Sequence, residues 1–434
     1  MVRPQNGNSG ISLPVFTQSL GWGRHKSARL SPTAVELVGC PFCGQVQTLP
    51  ISSVEGGSLQ CVRCNGILER TNGRSLDGAL VCAVATLALL FPANLLPILK
   101  VNLLGATNSS VIMSSVTGIW SQDWPVVAIV VGLEIVVLPF ARFGLLTAVL
   151  GAIRLGHRGR WMGPAFRWAE RLDQWAMIDV FLFGGIIGYE RVAQELSIHI
   201  EAGGWCLIAA ALLTFVTRAS LERRELWRCI GPTATRLRAN MITCTACDLP
   251  VPADNEGKPC PRCGAALWRC HPFSAMRAMA LTVAAFAFYP AAYVYPMEYN
   301  DMLGQLQGYS IMTGVTKLMQ ANLWFFAAIV FIASIAIPLL KLFVFVWFGI
   351  SIHRRSTSHL RPKTWLFRIV DLIGRWSHID VFTIAVFLPL MYLPGILSVL
   401  VGRALPAFLA VVVLTMLASD LFDPRALWLT KERT

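Results

Sequence analysis

Two groups of four cysteines have the residue type and spacing best suited to bind a metal. They are Cys40, Cys43, Cys61 and Cys64 in the first group, and Cys244, Cys247, Cys260 and Cys263 in the second. Each C-x2-C pair turns two thiolates towards one centre, and a second pair completes the tetrahedral all-sulfur shell that Zn2+ favours. Because thiolates would fill all four coordination positions, the pattern predicts two structural zinc sites and argues against catalytic zinc.

Iron is the alternative metal for these sites. Within the two groups, the cysteine pairs are separated by 17 and by 12 residues, and we expect short β-rich knuckles, as in zinc ribbons. Four sulfur ligands also suit iron, and the chain would then be a membrane redox protein with visible absorption. Of the other cysteines, Cys82 and Cys206 lie in apolar segments and are interpreted as packing residues, whereas Cys229 and Cys270 are assigned no role.

A second group of candidate residues is polar or ionisable and lies in or beside the apolar segments. Lys341 follows Pro338 by three residues within an apolar run, and an ionisable residue at such a depth in a membrane indicates a functional site. Ser334 lies two helical turns before Lys341, on the same face. The predicted polar network consists of Lys341, Ser334, Asp380 and Thr415 in the second half of the chain, with Glu134, Arg142 and Asp179 in the first.

Most of these residues also have a simpler explanation. Lys341 can extend its ammonium group to the cytoplasmic edge of the membrane, and Glu134 can pair with Arg142 two turns further along one helix. Asp179 and Asp380 can be carboxylates near helix N-termini, stabilised by the helix dipole. In the network interpretation, Asp380 instead reaches Lys341.

The sequence lacks the motifs of several enzyme classes. It contains neither a P-loop nor a dinucleotide-binding fingerprint. No two of its seven histidines have the spacing of helical metal or haem ligands inside an apolar span, and His378 is expected at a membrane edge. We therefore predict no catalytic residue and a protein that is not an enzyme.

Composition indicates a helical membrane protein. Of the 434 residues, 55% are hydrophobic and only 14% are charged, whereas soluble domains have roughly 25% charged residues. Several apolar runs approach the ~20 residues that a membrane-spanning helix needs. Such a composition excludes an ordinary soluble protein of two or three domains.

The net charge of +13 indicates membrane topology rather than a nucleic-acid partner. Basic residues are concentrated in the N-terminal tail, in 154–171, 218–238 and 353–368, and at the C-terminus, whereas 101–124, 188–203 and 291–322 contain few. This asymmetry follows the positive-inside rule and places both termini and both cysteine groups in the cytoplasm. Thiols remain reduced there, which favours metal binding over disulfides.

The chain contains one unit twice. Trp175–Phe181 and Trp376–Phe382 share the pattern W-x-x-I-D-V-F, and Pro139 corresponds to Pro338. We predict four spans in each half, because an even number returns the chain to the cytoplasmic side and makes the repeats parallel. The predicted spans are 78–99, 125–152, 178–195 and 203–218, followed by 275–296, 322–350, 379–397 and 404–421.

The predicted fold is an all-α polytopic membrane protein with two parallel-repeat four-helix transmembrane units, each preceded by a small cytoplasmic four-cysteine zinc ribbon. Segments 101–124 and 297–321 are each expected to add a short amphipathic element on the outer surface. Because the duplication already supplies two bundles, a homo-oligomer is not required. The expected domains are a disordered tail 1–35, zinc ribbons 36–72 and 240–270, and transmembrane units 76–228 and 274–428.

With these features the chain resembles the paraquat-inducible protein A family of Gram-negative inner membranes. The resemblance extends from Cys40 to about Trp428 and rests on the paired C-x2-C groups, the duplicated unit and the two W-x-x-I-D-V-F segments. It implies a multi-pass inner-membrane protein whose partner is a periplasmic MCE-domain protein that forms a tunnel towards the outer membrane.

The role that the resemblance implies is the transfer of phospholipids, or similar lipophilic molecules, between the inner membrane and that tunnel. Protonation of the polar network around Lys341 and Asp380 would then switch a lipid pocket between inner-leaflet and periplasmic access. The second half is the expected location of this pocket. A membrane anchor that only recruits the tunnel protein is the alternative function.

Overall fold

The computed structural model describes most of the chain. The described residues are 35–50, 58–70, 75–103, 106–193, 197–234, 240–302, 304–391 and 397–429. The tail predicted at 1–35 lies almost entirely outside this part of the chain.

The first cysteine group lies in a small β-rich module, as predicted for a zinc ribbon. Two antiparallel hairpins form it, and one C-x2-C pair follows the first strand of each hairpin. Its strands are β1 (Val35–Gly39), β2 (Val46–Pro50), β3 (Ser58–Gln60) and β4 (Ile67–Arg70).

The first membrane half begins with a helix capped by Ser75, whose hydroxyl accepts a hydrogen bond from the backbone N–H of Gly78. Its helices are α1 (Leu76–Leu95), α2 (Ile112–Trp120), α3 (Pro125–Arg154), α4 (Met162–Leu172), α5 (Ile178–Ala193), α6 (Ala202–Ser220) and α7 (Arg223–Ile230). Its strands are β5 (Leu99–Leu103), β6 (Ala106–Ser110) and β7 (Ser197–Ile200).

The second module and the second half repeat this order. The module has strands β8 (Met241–Thr243) and β9 (Pro250–Pro252) and a 3₁₀ turn at Ala253–Asn255. The helices of the half are α8 (Ser274–Val294), α9 (Ile311–Gln320), α10 (Trp324–His353), α11 (Leu360–Ile373), α12 (Ile379–Leu390), α13 (Ala404–Leu421) and α14 (Ala426–Leu429). Its strands are β10 (Glu298–Met302), β11 (Gln305–Tyr309) and β12 (Leu397–Val401).

Six helices of the described chain are long and apolar enough to cross a membrane, namely α1, α3, α6, α8, α10 and α13. The third span predicted in each half is different, because α5 has 16 residues and α12 has 12. A helix of 12 residues is only about 18 Å long, shorter than the hydrocarbon core of a bilayer.

Each of these short helices follows an amphipathic helix after a short interruption. In the second half, α11 runs antiparallel to α10, since Lys363 Nζ donates to Ser351 Oγ over 2.6 Å and Lys341 Nζ donates to the Gly374 carbonyl over 2.9 Å. A 3₁₀ segment, Gly374–His378, then separates α11 from α12. We call this segment the second break and residues 173–177, between α4 and α5, the first break.

The outer segments contain β-sheets that the sequence analysis did not predict. In the first half, β5 pairs with β6 in a hairpin and with β7 on its other edge; β10, β11 and β12 repeat this order in the second half. The predicted amphipathic elements are present as α2 and α9, which follow the hairpins. Each third strand comes from a distant part of the chain, so no local sequence pattern indicates the pairing.

The two halves meet through the short helices α5 and α12. The rings of Phe181 and Phe382 lie 5.8 Å apart, and Thr383 Oγ1 donates to the Gly184 carbonyl over 3.2 Å. A Cβ at Gly184 would lie 3.0 Å from the backbone nitrogen of Thr383. Glycine therefore allows the two helices to approach closely.

The closest packing of each cysteine module is with the half that does not follow it in sequence, while α7 also forms ion pairs with the first module through Arg224 and Arg228. The cysteines of the first module share an apolar cluster with Phe345, Phe367 and Trp428 of the second half. The second module lies against α4 of the first half, where Gly163 leaves no room for a Cβ beside the backbone of Arg262. The modules also contact each other, since the Gly39 N–H donates to the Asp248 carbonyl over 3.2 Å. The two modules therefore link the two halves, because each module contacts the opposite half and the modules contact each other.

Removing one metal site tests this crossed arrangement. In the variant Cys40→Ser with Cys43→Ser, we expect the first module to unfold and the protection of α10 and α11 against amide exchange to fall about tenfold. The mirror variant, Cys244→Ser with Cys247→Ser, should affect α4 instead, whereas α7 does not discriminate because its arginines pair with both modules. Hydrogen–deuterium exchange of the full-length protein in nanodiscs measures both. Loss of protection confined to the half that follows the altered module would contradict the arrangement.

Candidate functional site

The structure brings both cysteine groups together in metal-binding geometry. In each group the four sulfurs are buried and lie within 4.8 Å of one another. The Cys40 and Cys64 sulfurs are 3.5 Å apart, and the Cys244 and Cys263 sulfurs are 3.6 Å apart. Tetrahedral coordination with metal–sulfur bonds of about 2.3 Å requires sulfur separations of about 3.8 Å. Both groups therefore fit a tetrahedral metal ion.

The backbone shapes all four C-x2-C turns in the same way. In each turn, the residue after the second cysteine donates its N–H to the carbonyl of the first cysteine, as Gly44 does to Cys40 over 2.9 Å. That residue has a left-handed backbone in every case, and its φ values are 72° at Gly44, 57° at Asn65, 57° at Asp248 and 69° at Gly264. Glycine, asparagine and aspartate tolerate this conformation best. The sequence thus encodes the metal turns locally.

A π-helical turn interrupts the long helix of each half at the same place. The turns are Leu133–Val137 in α3 and Ile332–Ala336 in α10. Such single-turn insertions are frequent at functional sites. Glu134 lies in the first and Ser334 in the second, and both side chains are fully buried.

Five residues after the end of each π-helical turn, a buried cation contacts the break in the same half, between α4 and α5 or between α11 and α12. Arg142 Nη2 lies 2.5 Å from Asp173 Oδ1, and Lys341 Nζ lies 2.9 Å from the Gly374 carbonyl oxygen. Asp173 and Gly374 occupy equivalent positions in the two repeats, each two residues before the tryptophan of W-x-x-I-D-V-F. In both halves, therefore, a buried cation contacts the break. The acceptor is a side-chain carboxylate in the first half and a backbone carbonyl in the second.

The structure joins part of the predicted network in the second half. Lys341 Nζ is 3.5 Å from Thr415 Oγ1, and the Ser334 carbonyl accepts a hydrogen bond from the Tyr293 hydroxyl. The hydrogen bonds described for Lys341 go to Gly374 and Thr415 rather than to Asp380. Asp380 lies in the first turn of α12, on the wall of a separate cleft.

Glu134 and Arg142, which could have paired with each other, have different partners. Glu134 Oε1 lies 3.2 Å from His378 Nε2, and Arg142 pairs with Asp173. His378, expected at a membrane edge, is fully buried in the second break. The Glu134–His378 contact therefore joins the two halves. The only sequence signal for it is that His378 replaces Met177 in an otherwise matching repeat.

The sequence analysis missed several charged residues of this site: Arg218 belongs to a basic segment that indicated topology, and Asp173 and Arg375 lie between predicted spans. Asp179, fully buried, lies 2.6 Å from Arg218 Nη1 and 3.7 Å from Arg375 Nη2. Arg218 Nε also contacts Asp173 Oδ1 over 2.8 Å. Buried charges need such partners because their desolvation is costly. The cluster therefore connects α6 and the first break with the second break.

A small cleft of about 30 Å³ opens in the second half, beside α12 and the strands β10 and β11. Its walls are mostly apolar, and the Asp380 carboxylate and the Thr383 hydroxyl are among its polar groups. The lining residues are Ile187, Met297, Glu298, Tyr309, Ser310, Ile311, Gly314, Leu318, Val330, Asp380, Thr383 and Ile384.

The first half is closed where the second half has its cleft. There α2 packs on α12, and a Cβ at Gly118 would lie 2.6 Å from the Leu388 side chain. Asn108 Nδ2 donates to the Pro389 carbonyl over 2.8 Å, and Gln122 Oε1 accepts from the Val401 N–H over 2.6 Å. The two halves thus have one topology, but only the second has an open cleft at this end of the helices within the described residues.

Comparison with known proteins identifies the family. The family model described as "Paraquat-inducible protein A" matches residues 76–230 and 275–432. The chain belongs to the paraquat-inducible protein A family. Each matched segment begins behind a cysteine group, and together they contain all seven residues of the predicted polar network. The relationship therefore covers both membrane halves, including both π-helical turns and both breaks.

Characterised relatives cover nearly the whole chain. It is 31% identical over 397 residues to "Lipophilic envelope-spanning tunnel protein A" of Escherichia coli strain K12, covering 90% of each chain. It is 27% identical over 407 residues to "Intermembrane transport protein PqiA" of the same strain, covering 91% of this chain and 96% of that protein. A "Probable intermembrane transport protein" of Haemophilus influenzae is 24% identical over 93% of this chain and 99% of its own length. No solved structure matches the chain significantly.

The change from aspartate to asparagine, made in two separate variants, tests whether the buried charged cluster around Asp179 stabilises the fold. Asp179→Asn should leave Arg218 and Arg375 without their shared carboxylate and lower the free energy of unfolding by about 3–5 kcal/mol. The matched control is Asp77→Asn, because Asp77 pairs with Arg154 at the surface and the change there should cost less than about 1 kcal/mol. Reversible unfolding in mixed micelles gives both values. Equal, small losses would show that the cluster contributes little to stability.

Proposed function

We propose that this protein moves phospholipids or other lipophilic molecules between the inner membrane of a Gram-negative cell and a periplasmic tunnel of MCE-domain proteins. The observation that carries the proposal is the small cleft beside α12, which combines apolar walls with the Asp380 carboxylate. Its volume is about 30 Å³, so the cleft would have to widen to admit an acyl chain. A lipid carrier requires both features, because acyl chains need an apolar surface and a headgroup needs polar contacts. The names of the relatives, which refer to intermembrane transport and to an envelope-spanning tunnel, support this function.

The break beside Lys341 supplies the hinge of the proposed mechanism. Interrupting a helix frees backbone carbonyls, which must be satisfied by other groups. Lys341 donates to one of them, the Gly374 carbonyl, and is itself fully buried. We propose that a change in the protonation of Lys341 or Asp380 alters this contact and lets α12 move. The cleft would then switch between access from the inner leaflet and access from the periplasm.

We assign structural Zn2+ to both four-cysteine sites. Their buried all-thiolate shells leave no position for a substrate, which fits a structural metal and no enzymatic activity. The distribution of basic residues supports placing both modules and both termini in the cytoplasm. Iron in the same sites would favour a redox protein, and purified protein with visible absorption would support that alternative over zinc.

Substitution of the buried lysine tests the transport proposal. We expect Lys341→Met to remain folded but to lose most of the phospholipid that co-purifies with the wild-type protein, together with lipid delivery in cells. The matched control is Lys258→Met, because Lys258 is exposed in the second cysteine module and lies outside the cleft lining. Mass spectrometry of retained lipids and a pull-down of the MCE-domain partner give the two readouts.

The same experiment separates a carrier from an anchor. A carrier predicts that Lys341→Met still binds the partner while lipid retention and delivery fall. Loss of partner binding together with delivery would favour the anchor. Full lipid retention and delivery in Lys341→Met and in Asp380→Asn would contradict a transport role for this site.

A further inference from the structure

Glu134 contacts both breaks, through different atoms. Its backbone carbonyl accepts a hydrogen bond from the Met177 N–H in the first break, over 3.4 Å. Its side-chain Oε1 lies 3.2 Å from Nε2 of His378 in the second break. Met177 and His378 occupy the same position of the two W-x-x-I-D-V-F segments. One residue of the first π-helical turn therefore contacts corresponding residues of both halves.

The side chains of Glu134 and His378 are shielded from water. The His378 side chain is 0% exposed and the Glu134 side chain is 2% exposed. Among the described residues, neither carboxylate oxygen and neither ring nitrogen has an aligned hydrogen-bond partner. Buried polar atoms without such partners are rare in folded proteins and need a specific explanation. The approach of Oε1 to Nε2 is thus the polar contact through which these two groups can share a proton.

One proton decides the net charge of this pair. A carboxylate beside a neutral imidazole has a net charge of −1, and binding one proton from water makes the pair neutral. The proton can reside on the ring, which gives an imidazolium and a carboxylate, or on the carboxyl group, which gives two neutral groups. Either arrangement belongs to the pair rather than to one residue. A net charge at a buried site is costly, so the closed site favours the form that holds the proton.

Other charged groups surround the two breaks and have partners of their own. The aspartates of the charged cluster around Asp179 pair with its three arginines, and Lys341 donates to the Gly374 carbonyl. None of these contacts involves Glu134 or His378. The titratable and charged groups on the elements packed around the pair are Arg142 on α3, Asp179 on α5, Arg218 on α6, Tyr293 on α8, Lys341 on α10, Asp371 on α11, Asp380 on α12, Asp420 on α13, and Asp173 and Arg375 in the breaks.

We propose that Glu134 and His378 form a proton-binding site and that the bound proton holds the two breaks together. With the proton bound, a neutral pair joins α3 of the first half to the second break. Loss of the proton leaves a net negative charge in the buried contact, which favours separation of the two groups and entry of water. The two breaks could then move independently.

This proton site is separate from Lys341 and from the cleft beside α12. Glu134 and His378 do not line that cleft, and the described hydrogen bonds of Lys341 go to Gly374 and Thr415. Proton binding also does not depend on which molecule the protein carries. Failure of the transport proposal would therefore leave the proton site standing, and the reverse holds as well.

Nuclear magnetic resonance of the full-length protein in nanodiscs, with 15N-labelled histidines, tests the proton site. The His378 resonances are those lost in His378→Met, a change that inserts the residue of the first half. In the wild type they should titrate between about pH 5 and pH 9. Glu134→Gln should weaken proton binding at His378 about tenfold, because a neutral amide replaces the carboxylate. The matched control is His353→Met, since His353 is exposed at the end of α10 and its loss should leave the His378 titration unchanged.

Hydrogen–deuterium exchange tests the coupling between the breaks. After correction for intrinsic exchange rates, the protection of residues 173–177 and 374–378 should fall about tenfold in the wild type as His378 loses its proton. In Glu134→Gln and His378→Met, the protection of both breaks should no longer follow this titration. Unchanged protection of α1 and α8 shows that a variant is folded, and His378→Gln replaces His378→Met if the latter does not fold.

Two results would overturn the proposal. A His378 resonance that does not titrate, or that titrates identically in Glu134→Gln, would show that the pair binds no proton. Equal pH dependence of protection at both breaks in the wild type and in the two variants would show that the proton does not couple them. The contact would then be a packing contact between the halves.

Discussion

A cation buried in a membrane helix must find an oxygen atom to replace its lost hydration, and here that oxygen lies at a helix break. Arg142 contacts Asp173, and Lys341 contacts the Gly374 carbonyl, at equivalent positions of the two repeats. The Lys341 contact also satisfies a backbone carbonyl at the point where the helix is interrupted. The π-helical turns before the cations, the breaks opposite them and the short helices that follow all depend on this pairing.

The two halves use the same contact with different consequences. Asp173 and Asp179 of the first half pair with Arg142 and Arg218 of the same half and with Arg375 of the second half, and α2 packs on α12. In the second half, a neutral carbonyl accepts from Lys341, and a cleft is open beside α12. A carboxylate fixes a guanidinium more strongly than a single carbonyl fixes an ammonium group. The first half is thus suited to rigidity and the second to movement.

The metal modules add a constraint that the repeats alone would not impose. Each module folds around its own cysteines but packs against the opposite half, and the modules contact each other through Gly39 and Asp248. The Glu134–His378 contact and the Gly184–Phe382 approach join the same halves within the membrane. The two membrane units are therefore linked at two levels, although few residues connect them in sequence.

The sequence by itself determined the features that depend on local spacing: the C-x2-C turns with their left-handed residues, the apolar helices and the duplication. It also indicated Lys341 and Asp179, because charged residues in or beside an apolar run are conspicuous. The partners of these residues were decided only by the tertiary structure. Glu134 meets His378, and β10 meets β12, across long stretches of chain, and a local pattern carries no information about such contacts. Arg218 was interpreted as a topology signal and Arg375 was not singled out, because burial, not residue type, distinguishes a paired internal charge from a solvated one.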